Sequence, residues 1–408
     1  MRAEIPGRIA IDEALAIVRR VAAGRARAAE RIALRRTEGR VLSEDIVAPM
    51  ALPPFDNSRM DGFALRHADL ANAGQPPRLR IAGAQYAGAD AIAALEPGCC
   101  VRITTGAALP ADADTVVIKE DVREDAAGWI ELAGLPERGS DIRRAGEDVA
   151  GGERLLGIGQ VLTPARVSLL AALGIAEIMV APRPTVAVFT TGDELVEPGL
   201  PLPPGRIYNS NRDLLMGLLR QQGLEPTAWP TLPDDPERIR SQLEDAAAAF
   251  DLVLTCGGVS AGEKDFLPDY LISNGTVHFW KVRMKPGMPV LFGERERALF
   301  LSLPGNPVSV LATFLALGVP LLDGLQGRTE SRQRWHARLA APWRKTHARH
   351  EFLRGRLQPG MDGILRVTPN GADASHRLRG AAESDALIVL PEGERMYDAD
   401  EVVEILPY

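Results

Sequence analysis

Cysteine and histidine are scarce in this sequence, which has three cysteines, Cys99, Cys100 and Cys256, and six histidines. No pair of cysteines has the CxxC spacing of a zinc or redox site, and their odd number argues against a disulfide framework. The sequence therefore predicts a reducing compartment. It gives no support to a metal centre built from thiolates and imidazoles.

Long apolar runs and the residue pattern of a signal peptide are also missing. The longest apolar run, "VLATFLALGVPLL", has thirteen residues and contains Gly318 and Pro320, so it is too short to span a bilayer. The N-terminus lacks the basic and then apolar layout of a signal peptide. A net charge of −7 gives no general attraction to nucleic acid or to an acidic membrane. We expect a cytoplasmic protein with neither as a partner, in which any anion site is a local cluster of cations.

The 408 residues exceed what one hydrophobic core usually serves, so several domains are expected. Ile11, Leu15 and Val18 recur at helical spacing and predict a helix over residues 9–35. Short β-like runs punctuated by proline predict a β-rich module over residues 49–142. Thr163 as N-cap, followed by Pro164, predicts a helix after that module. The β-rich module is thus predicted as an insertion in a helical domain of residues 1–48 and 143–180.

Strands alternate with helices over residues 181–327, which predicts a parallel sheet with helices on its faces. The predicted strands are "TVAVFTT", "DLVLT" and "ALFLSL", and the predicted helices are "NRDLLMGLLRQQG", "PERIRSQLEDAAAAF", "KDFLPDYLISNG" and "NPVSVLATFLALG". Residues 328–408 contain runs such as "GILRVTP" and "DALIVLP", which predict a C-terminal all-β, barrel-like module. The predicted fold class is multidomain α/β with a three-layer α/β/α sheet domain.

Three segments place polar residues directly after predicted strands. "VFTTGDEL" contributes Asp193 and Glu194, "LTCGGVSAGEKD" contributes glycines, Ser260 and two acids, and "LSLPGNPVS" contributes Asn306. Because ligands of parallel sheets bind beyond the carboxyl ends of the strands, we expect the three segments to meet. Glycines let backbone N–H groups reach a phosphate, and carboxylates there call for a divalent cation. The alternative, in which the acids cap helices and the glycines form plain turns, stays open.

Two common nucleotide-binding patterns are absent. "GGVSAGEKD" has Glu263 where a P-loop has its lysine, which disfavours an ordinary ATPase. No GxGxxG follows the first strand of the sheet domain, which disfavours a Rossmann dehydrogenase.

The segment "VHFWKVRMKPG" contains the local cluster of cations. If this segment is extended, Lys281, Arg283 and Lys285 fall on one face, where they are able to bind a multiply charged anion. The alternative is the solvated face of an edge strand.

In the β-rich module, "PFDNSRMDGFAL" concentrates polar residues around Asp56 and Asp61 in a predicted loop. Two interpretations of this loop remain open: a functional site, and a network of Asx turns that only orders the loop.

Eight motifs together resemble one known family, the molybdopterin molybdenumtransferases, which include MoeA and the gephyrin E-domain. The motifs, in family order, are "SRMDGFAL", "VRITTGA", "RRAGED", "TTGDEL", "NSN", "CGGVSAGEKDF", "KPGMPV" and "LPGNPVS". The match runs from about Pro6 to Tyr408. The resemblance implies insertion of molybdenum from molybdate into adenylylated molybdopterin with release of AMP.

The resemblance also implies a set of site residues. Those matching motif positions implicated in activity are Asp61, Thr105, Asp148, Glu194, Asp234 and Asp265. Those predicted to bind the substrates are Gly257, Gly258, Ser260, Lys281, Lys285, Pro304, Pro307, Arg354 and Ser375, with Arg377 beside them. Glu194 and Asp265 are predicted to hold Mg²⁺ or to orient water, and the two lysines to bind molybdate or a phosphate. Met288 stands where some relatives have a third lysine.

The implied assembly is an elongated homodimer, with each site between the sheet domain of one subunit and the "MDG" module of the other. A molybdopterin adenylyltransferase is implied upstream, because it supplies the adenylylated substrate. Two other functions are kept as alternatives: a scaffold of the gephyrin type, and a nucleotide pyrophosphatase of the competence-damage type. A scaffold does not need Asp61, Asp265 and Lys285, and a pyrophosphatase does not need molybdate.

Overall fold

The N-terminal helix is shorter than its sequence pattern predicts. The computed structural model describes residues 7–25, 27–90, 94–232, 235–259, 266–371 and 376–408, and its first helix is Ile11–Ala23. Residues Glu30–Ala33 form a strand that pairs antiparallel with Glu177–Val180. The prediction of one helix over residues 9–35 is therefore wrong beyond Ala23, because a partner strand far along the chain overrides local helical preference.

Residues on both sides of the β-rich region share one small core. Its buried members are Leu34, Leu42, Ile46, Leu156, Leu162, Leu170, Ile178 and Val180. The helix Pro164–Ala172 begins as predicted, since the Thr163 side chain accepts a hydrogen bond from the backbone N–H of Arg166. A second ladder pairs Ile46–Val47 with Arg154–Leu156, so this region mixes helix and strand.

The β-rich region contains a six-stranded sheet, as the proline-punctuated runs predict. Its strands, in spatial order, are Thr115–Ile118, Gly62–Leu65, Cys99–Ile103, Arg78–Gln85, Trp129–Leu132 and Val122–Glu124. A separate short ladder pairs Asn57–Ser58 antiparallel with Ile142–Arg143. This region also contains the short 3₁₀ helices His67–Asn72 and Lys119–Asp121, and a further one, Leu34–Arg36, precedes it. At Gly62 a Cβ atom would lie 1.9 Å from the carbonyl oxygen of Val117, so only glycine fits directly after Asp61.

The third region is a three-layer α/β/α domain, as predicted, although its sheet is mixed. Its strands, in spatial order, are Thr227–Ala228, Val186–Thr190, Leu252–Cys256, Ala298–Leu303, Leu291–Arg295 and Thr276–Trp280. The first four are parallel, and Leu291–Arg295 pairs antiparallel with both of its neighbours, Ala298–Leu303 and Thr276–Trp280. The helices include Ser210–Gln221, Pro236–Ala249 and Phe266–Asn274, and separate hydrophobic clusters cover the two faces of the sheet. A two-residue ladder joins Leu195–Val196 to Ile207–Tyr208.

The last helix of this domain continues past the predicted stop at Gly318. Pro307–Thr313 is α-helical, Phe314–Gly318 forms a π turn, and Val319–Leu325 is α-helical again. A π turn is one way for a helix to accommodate a proline such as Pro320. The continuous helix has 19 residues, and an 18-residue stretch of it has a mean hydropathy of 1.9, which is enough by length and composition to cross a membrane. However, 78% of that stretch is buried inside the protein. It has the character of a core helix.

The C-terminal region is a closed β-barrel, which confirms the barrel-like prediction. Its strands, in spatial order, are His350–Pro359, Leu365–Pro369, Trp335–Leu339, Val402–Pro407 and Ala386–Leu390, and the last of these pairs with the first. Trp343–Lys345 pairs with Arg395–Tyr397, and a short helix spans Leu378–Ala382. Met284–Lys285 leaves the α/β domain and adds a parallel pair to His350–Glu351. The barrel is thereby hydrogen-bonded to the segment that carries Lys285.

Candidate active site

Three strand ends meet at the carboxyl edge of the α/β sheet, as the sequence predicts. The backbone N–H of Thr191 donates to the carbonyl of Cys256 over 3.1 Å, and that of Gly257 donates to the carbonyl of Leu303 over 3.1 Å. The three strands that end here are neighbours in the sheet. The segments after them, which begin at Thr191, Gly257 and Pro304, therefore form one continuous rim.

The two glycines in this rim are required by backbone geometry. Gly257 and Gly258 have φ values of 90° and 64°, in the left-handed region that favours glycine. A Cβ atom on Gly257 would lie 2.9 Å from the Thr191 hydroxyl oxygen and 3.1 Å from its carbonyl oxygen. A side chain at Gly257 would therefore disrupt the contact between the first two strand ends. The backbone N–H of Gly257 already donates a hydrogen bond to the carbonyl of Leu303. A phosphate bound at this turn would therefore accept hydrogen bonds from N–H groups that follow Gly257.

Glu194 places an exposed carboxylate on the same rim. Gly192 has a φ of 135°, and a Cβ atom there would lie 2.4 Å from Glu194 Oε2, so the carboxylate folds back over bare backbone. The Glu194 carbonyl accepts a hydrogen bond from Ile207, which fixes the turn. Across the described residues no group of three or more His, Cys, Asp or Glu side chains is arranged to hold a metal ion. Asp234 and Asp265, the other acids predicted in this domain, lie outside the described residues, as does Ser260.

The third strand end is fixed by a neighbouring helix. Asn211 Nδ2 donates to the carbonyl of Gly305 over 2.6 Å, while its buried Oδ1 atom has no hydrogen-bond partner among the described residues. Pro304 is buried, and Pro307 begins the helix that follows. These contacts hold "LPGNP" against the helix Ser210–Gln221. Sequence reasoning missed Asn211 as a supporting residue, although it lies in the quoted motif "NSN".

Lys281 does not continue the strand before it. The strand ends at Trp280, and Lys281 has a φ of 76°, a left-handed conformation that is uncommon for a residue with a side chain. Its backbone N–H donates to the Val290 carbonyl over 2.8 Å, which holds this conformation. The ammonium lies 4.5 Å from the centroid of the Trp280 ring, within the range of a cation–π contact. Lys281 therefore turns back over Trp280.

Arg283 and Lys285 contact other partners, so the prediction of three cations on one strand face is wrong. The Arg283 guanidinium contacts Glu392, 3.2 Å away, on the exterior of the barrel. Lys285 Nζ lies 3.1 Å from Oε1 of Glu351, whose side chain is only 4% exposed. The alternation argument assumed one extended strand, and the left-handed turn at Lys281 breaks it.

Glu351 is a buried carboxylate that the sequence did not single out. Its Oε1 also lies 3.1 Å from His347 Nε2, and its Oε2 has no hydrogen-bond partner among the described residues. The buried ammonium of Lys345 donates to the carbonyls of His347 and Gly393, and burial lowers the pKa of this lysine. A buried carboxylate without a cation is costly, so the ion pair with Lys285 stabilises Glu351. Because Lys285 belongs to the segment that leaves the α/β domain and Glu351 to a barrel strand, the pair also joins the two domains.

We expect Lys285→Met to destabilise the protein by up to about 3 kcal/mol, because it leaves Glu351 buried without its nearest cation. Adding Glu351→Gln removes that charge and restores most of the loss. Arg283→Met is the matched control, since its partner Glu392 is solvent-accessible and such pairs contribute about 0–1 kcal/mol. Urea unfolding of all three variants measures the free energies. Wild-type stability of Lys285→Met would show that Lys285 does not compensate the Glu351 charge.

In the β-rich region, Asp61 and Thr105 contact each other directly. Asp61 Oδ1 accepts hydrogen bonds from the backbone N–H and the hydroxyl of Thr105, over 2.8 Å and 2.9 Å. The backbone hydrogen bond from Thr105 is the largest cause of a lowered Asp61 pKa, and the hydroxyl adds to it. Asp61 remains exposed, so it presents an ionised carboxylate to the solvent. No hydrogen bond or ion pair between described residues connects Asp61 or Thr105 to Glu194.

Asp148 lines an open groove in the same region. The groove has a volume of about 660 Å³ and is lined by Leu52, Pro53, Asn57, Arg59, Arg143, Glu147 and Asp148. Nearby, Asp56 accepts a hydrogen bond from the backbone N–H of Ala145 and pairs with Arg144. Asp56 therefore bonds its loop to residues far along the chain, which differs from the local hydrogen bond of an Asx turn, whereas the side chains of Asp61 and Asp148 are exposed.

Arg354 lies in a barrel strand, on the face opposite the barrel core, and is only 2% exposed. Its Nη1 donates to the carbonyl of Arg377 over 2.9 Å, and its carbonyl accepts a hydrogen bond from Asn370. The guanidinium is therefore bonded to the Arg377 backbone and is closed to solvent in this structure, and direct substrate contact by Arg354 stays a prediction. Ser375 lies outside the described residues.

Comparisons with known proteins cover nearly the whole chain. Residues 9–174 match the MoeA N-terminal region (domains I and II), residues 187–324 a probable molybdopterin binding domain, and residues 336–408 the MoeA C-terminal region (domain IV). A molybdopterin molybdenumtransferase of Haemophilus influenzae is 39% identical over 381 residues, which cover 93% of this chain and 94% of the relative. Molybdopterin molybdenumtransferase 2 of Mycobacterium tuberculosis is 37% identical and covers 88% of this chain and 90% of the relative.

Solved structures agree with the sequence comparison. The molybdopterin biosynthesis MoeA protein of Pyrococcus horikoshii OT3 is 30% identical, with a TM-score of 0.81, over 98% of this chain and 100% of its own. Sequence motifs, domain matches and three-dimensional similarity thus lead to one assignment. This chain belongs to the MoeA family of molybdopterin molybdenumtransferases.

Proposed function

We propose that this protein inserts molybdenum from molybdate into adenylylated molybdopterin, releases AMP, and so forms the molybdenum cofactor. The observation that carries the proposal is the rim of the α/β sheet, where the Gly257–Gly258 turn, the Glu194 carboxylate and the start of the helix at Pro307 lie side by side. Bare backbone suits a phosphate group of the substrate, and an acid beside it suits the cleavage of a phosphoanhydride.

In this proposal the residues of the site bind the substrates, orient a water molecule and neutralise the negative charge of molybdate. Glu194 accepts a hydrogen bond from the water whose oxygen replaces AMP on the molybdopterin phosphorus. Lys281 and Lys285 contribute positive charge toward molybdate, a dianion, through charge-assisted hydrogen bonds. Asp61 and Asp148 act from the β-rich module of the other subunit. The dithiolene sulfurs of the substrate are the molybdenum ligands, so the protein supplies none.

Mg²⁺ is the cofactor that this proposal includes. The donor chemistry fits, because Glu194 offers exposed carboxylate oxygens and Mg²⁺ prefers oxygen ligands. Asp265 is its proposed second ligand. When bound, the ion neutralises charge on the phosphoanhydride.

The proposed assembly is a homodimer in the cytoplasm that receives its substrate from a molybdopterin adenylyltransferase. Exposed apolar side chains in the β-rich region, among them Phe55 and Met60, are consistent with a surface that another subunit covers. A scaffold role and a nucleotide pyrophosphatase are not favoured, because the relatives that match over most of this chain are molybdenumtransferases.

We expect purified protein to release AMP from adenylylated molybdopterin only when both molybdate and Mg²⁺ are present. Chromatography of AMP measures the rate, with sulfate in place of molybdate as a control for a dianion of the same shape. AMP release from a free dinucleotide, or release that ignores molybdate, would instead support the pyrophosphatase. Removal of Mg²⁺ by EDTA is expected to stop the reaction, and addition of Mg²⁺ to restore it.

A further inference from the structure

Trp280 contacts two parts of the candidate site that are distant in the sequence. Its indole N–H donates to the carbonyl of Val259 over 3.0 Å, and its ring lies 4.5 Å from the ammonium of Lys281. Val259 is buried and directly follows the Gly257–Gly258 turn. One side chain is thus bonded to the glycine-rich rim and to a proposed molybdate-binding cation.

The rest of Trp280 is held firmly. Its ring packs against the hydrophobic cluster on one face of the sheet, and its strand pairs with Leu291–Arg295. Beside it, the Lys281 backbone is anchored on both sides, since its N–H donates to Val290 and its carbonyl accepts from Ile9. The left-handed backbone turns the Lys281 side chain toward the indole, and the ring then limits where the ammonium rests.

We propose that Trp280 is a positioning residue for molybdenum transfer: it fixes the distance between the glycine-rich rim and the Lys281 ammonium. The inference rests on the proposed function of Lys281. It goes further in naming a side chain that does not touch the reacting atoms but sets the spacing of the groups that do. An indole suits this role because it offers both a polarised N–H and an extended ring face.

Trp229 provides a matched control in the same domain. It is also partly buried against the same hydrophobic cluster, it stacks on Phe189 with centroids 5.0 Å apart, and its indole N–H donates to Gln242. Trp229→Phe therefore also removes one indole hydrogen bond, and it removes the same side-chain volume as Trp280→Phe. It leaves the Val259 and Lys281 contacts intact.

The test compares Trp280→Phe, Trp280→Leu and Trp229→Phe with wild type in molybdate-dependent AMP release. We expect Trp280→Phe to raise the half-saturating molybdate concentration about tenfold, and Trp280→Leu to raise it further, because leucine also removes the ring face under Lys281. Trp229→Phe is expected to lose a similar amount of melting temperature with an unchanged half-saturating concentration. Equal half-saturation in all four proteins would overturn the proposal.

A second readout separates this inference from the proposed function. Molybdate is titrated into each protein and binding is followed by calorimetry, with no pterin present. Weaker molybdate binding by Trp280→Phe than by Trp229→Phe supports the positioning role even if the wild type releases no AMP, in which case only the proposed reaction fails. Molybdate binding that is identical in Trp280→Phe and Trp229→Phe overturns the positioning role, whatever the activity.

Discussion

Co-expression of an Asp61→Ala chain with a Glu194→Ala chain is expected to restore activity that neither homodimer has. In the proposed dimer, each site takes Asp61 from one subunit and Glu194 from the other. A mixed dimer then contains one site that lacks both acids and one site that has both. A two-fold interface generates two equivalent sites, so we expect about half of the wild-type activity per dimer. Different tags on the two chains allow the mixed dimer to be purified before AMP release is measured.

The matched control for this experiment pairs Asp61→Ala with Thr105→Ala. These two residues touch within one chain, where the Thr105 hydroxyl donates to Asp61 over 2.9 Å. Each site of that mixed dimer lacks one of the two groups, so no recovery is expected. Activity of the Asp61→Ala and Glu194→Ala pair that does not exceed this control would contradict a site shared between subunits.

Removal of both proposed molybdate-binding lysines is expected to raise the half-saturating molybdate concentration by about two orders of magnitude or more. Two charge-assisted contacts contribute about 1.5–3 kcal/mol each, and a factor of ten corresponds to about 1.4 kcal/mol. Lys281→Met and Lys285→Met are combined with Glu351→Gln, because the buried carboxylate of Glu351 would otherwise lose its ion pair with Lys285. AMP release is measured over a range of molybdate concentrations at fixed pterin substrate.

Arg283→Met is the control for the lysine experiment. It removes a cation from the same segment, but this arginine pairs with Glu392 on the exterior of the barrel. We expect its molybdate dependence to equal that of wild type. If the triple variant also keeps the wild-type dependence, neither lysine binds molybdate.

Sequence patterns predicted the α/β domain best, because its elements are local and strongly periodic. The helix Pro236–Ala249 and the strand Leu252–Cys256 are found where the periodicity places them. The convergence of the three strand ends also follows from sequence, since carboxyl ends of parallel strands share one edge. The antiparallel strand Leu291–Arg295 was not predicted, because the periodicity of a short apolar run does not distinguish a strand from a buried piece of helix.

The details of the site depend on contacts that no local pattern contains. The pairing of Glu30–Ala33 with Glu177–Val180 replaced part of a predicted helix, and both its strands are short. The pairing of Lys285 with Glu351 crosses from one domain to another, so the spacing of cations alone gave the wrong face. The contact of Trp280 with the rim was missed for the same reason, because its hydrogen bond reaches back to Val259.

The backbone of Lys281 has a consequence for how this position tolerates change. A left-handed conformation costs a residue with a side chain about 1–2 kcal/mol, so folding alone favours glycine at position 281. A mutant library sorted for heat resistance should accumulate glycine there, whereas a library sorted for AMP release should retain lysine. Glu296 and Asp400, which have similar φ values of 52° and 64°, should accept glycine under both selections. Divergence at this one position would measure how far selection for chemistry opposes selection for folding.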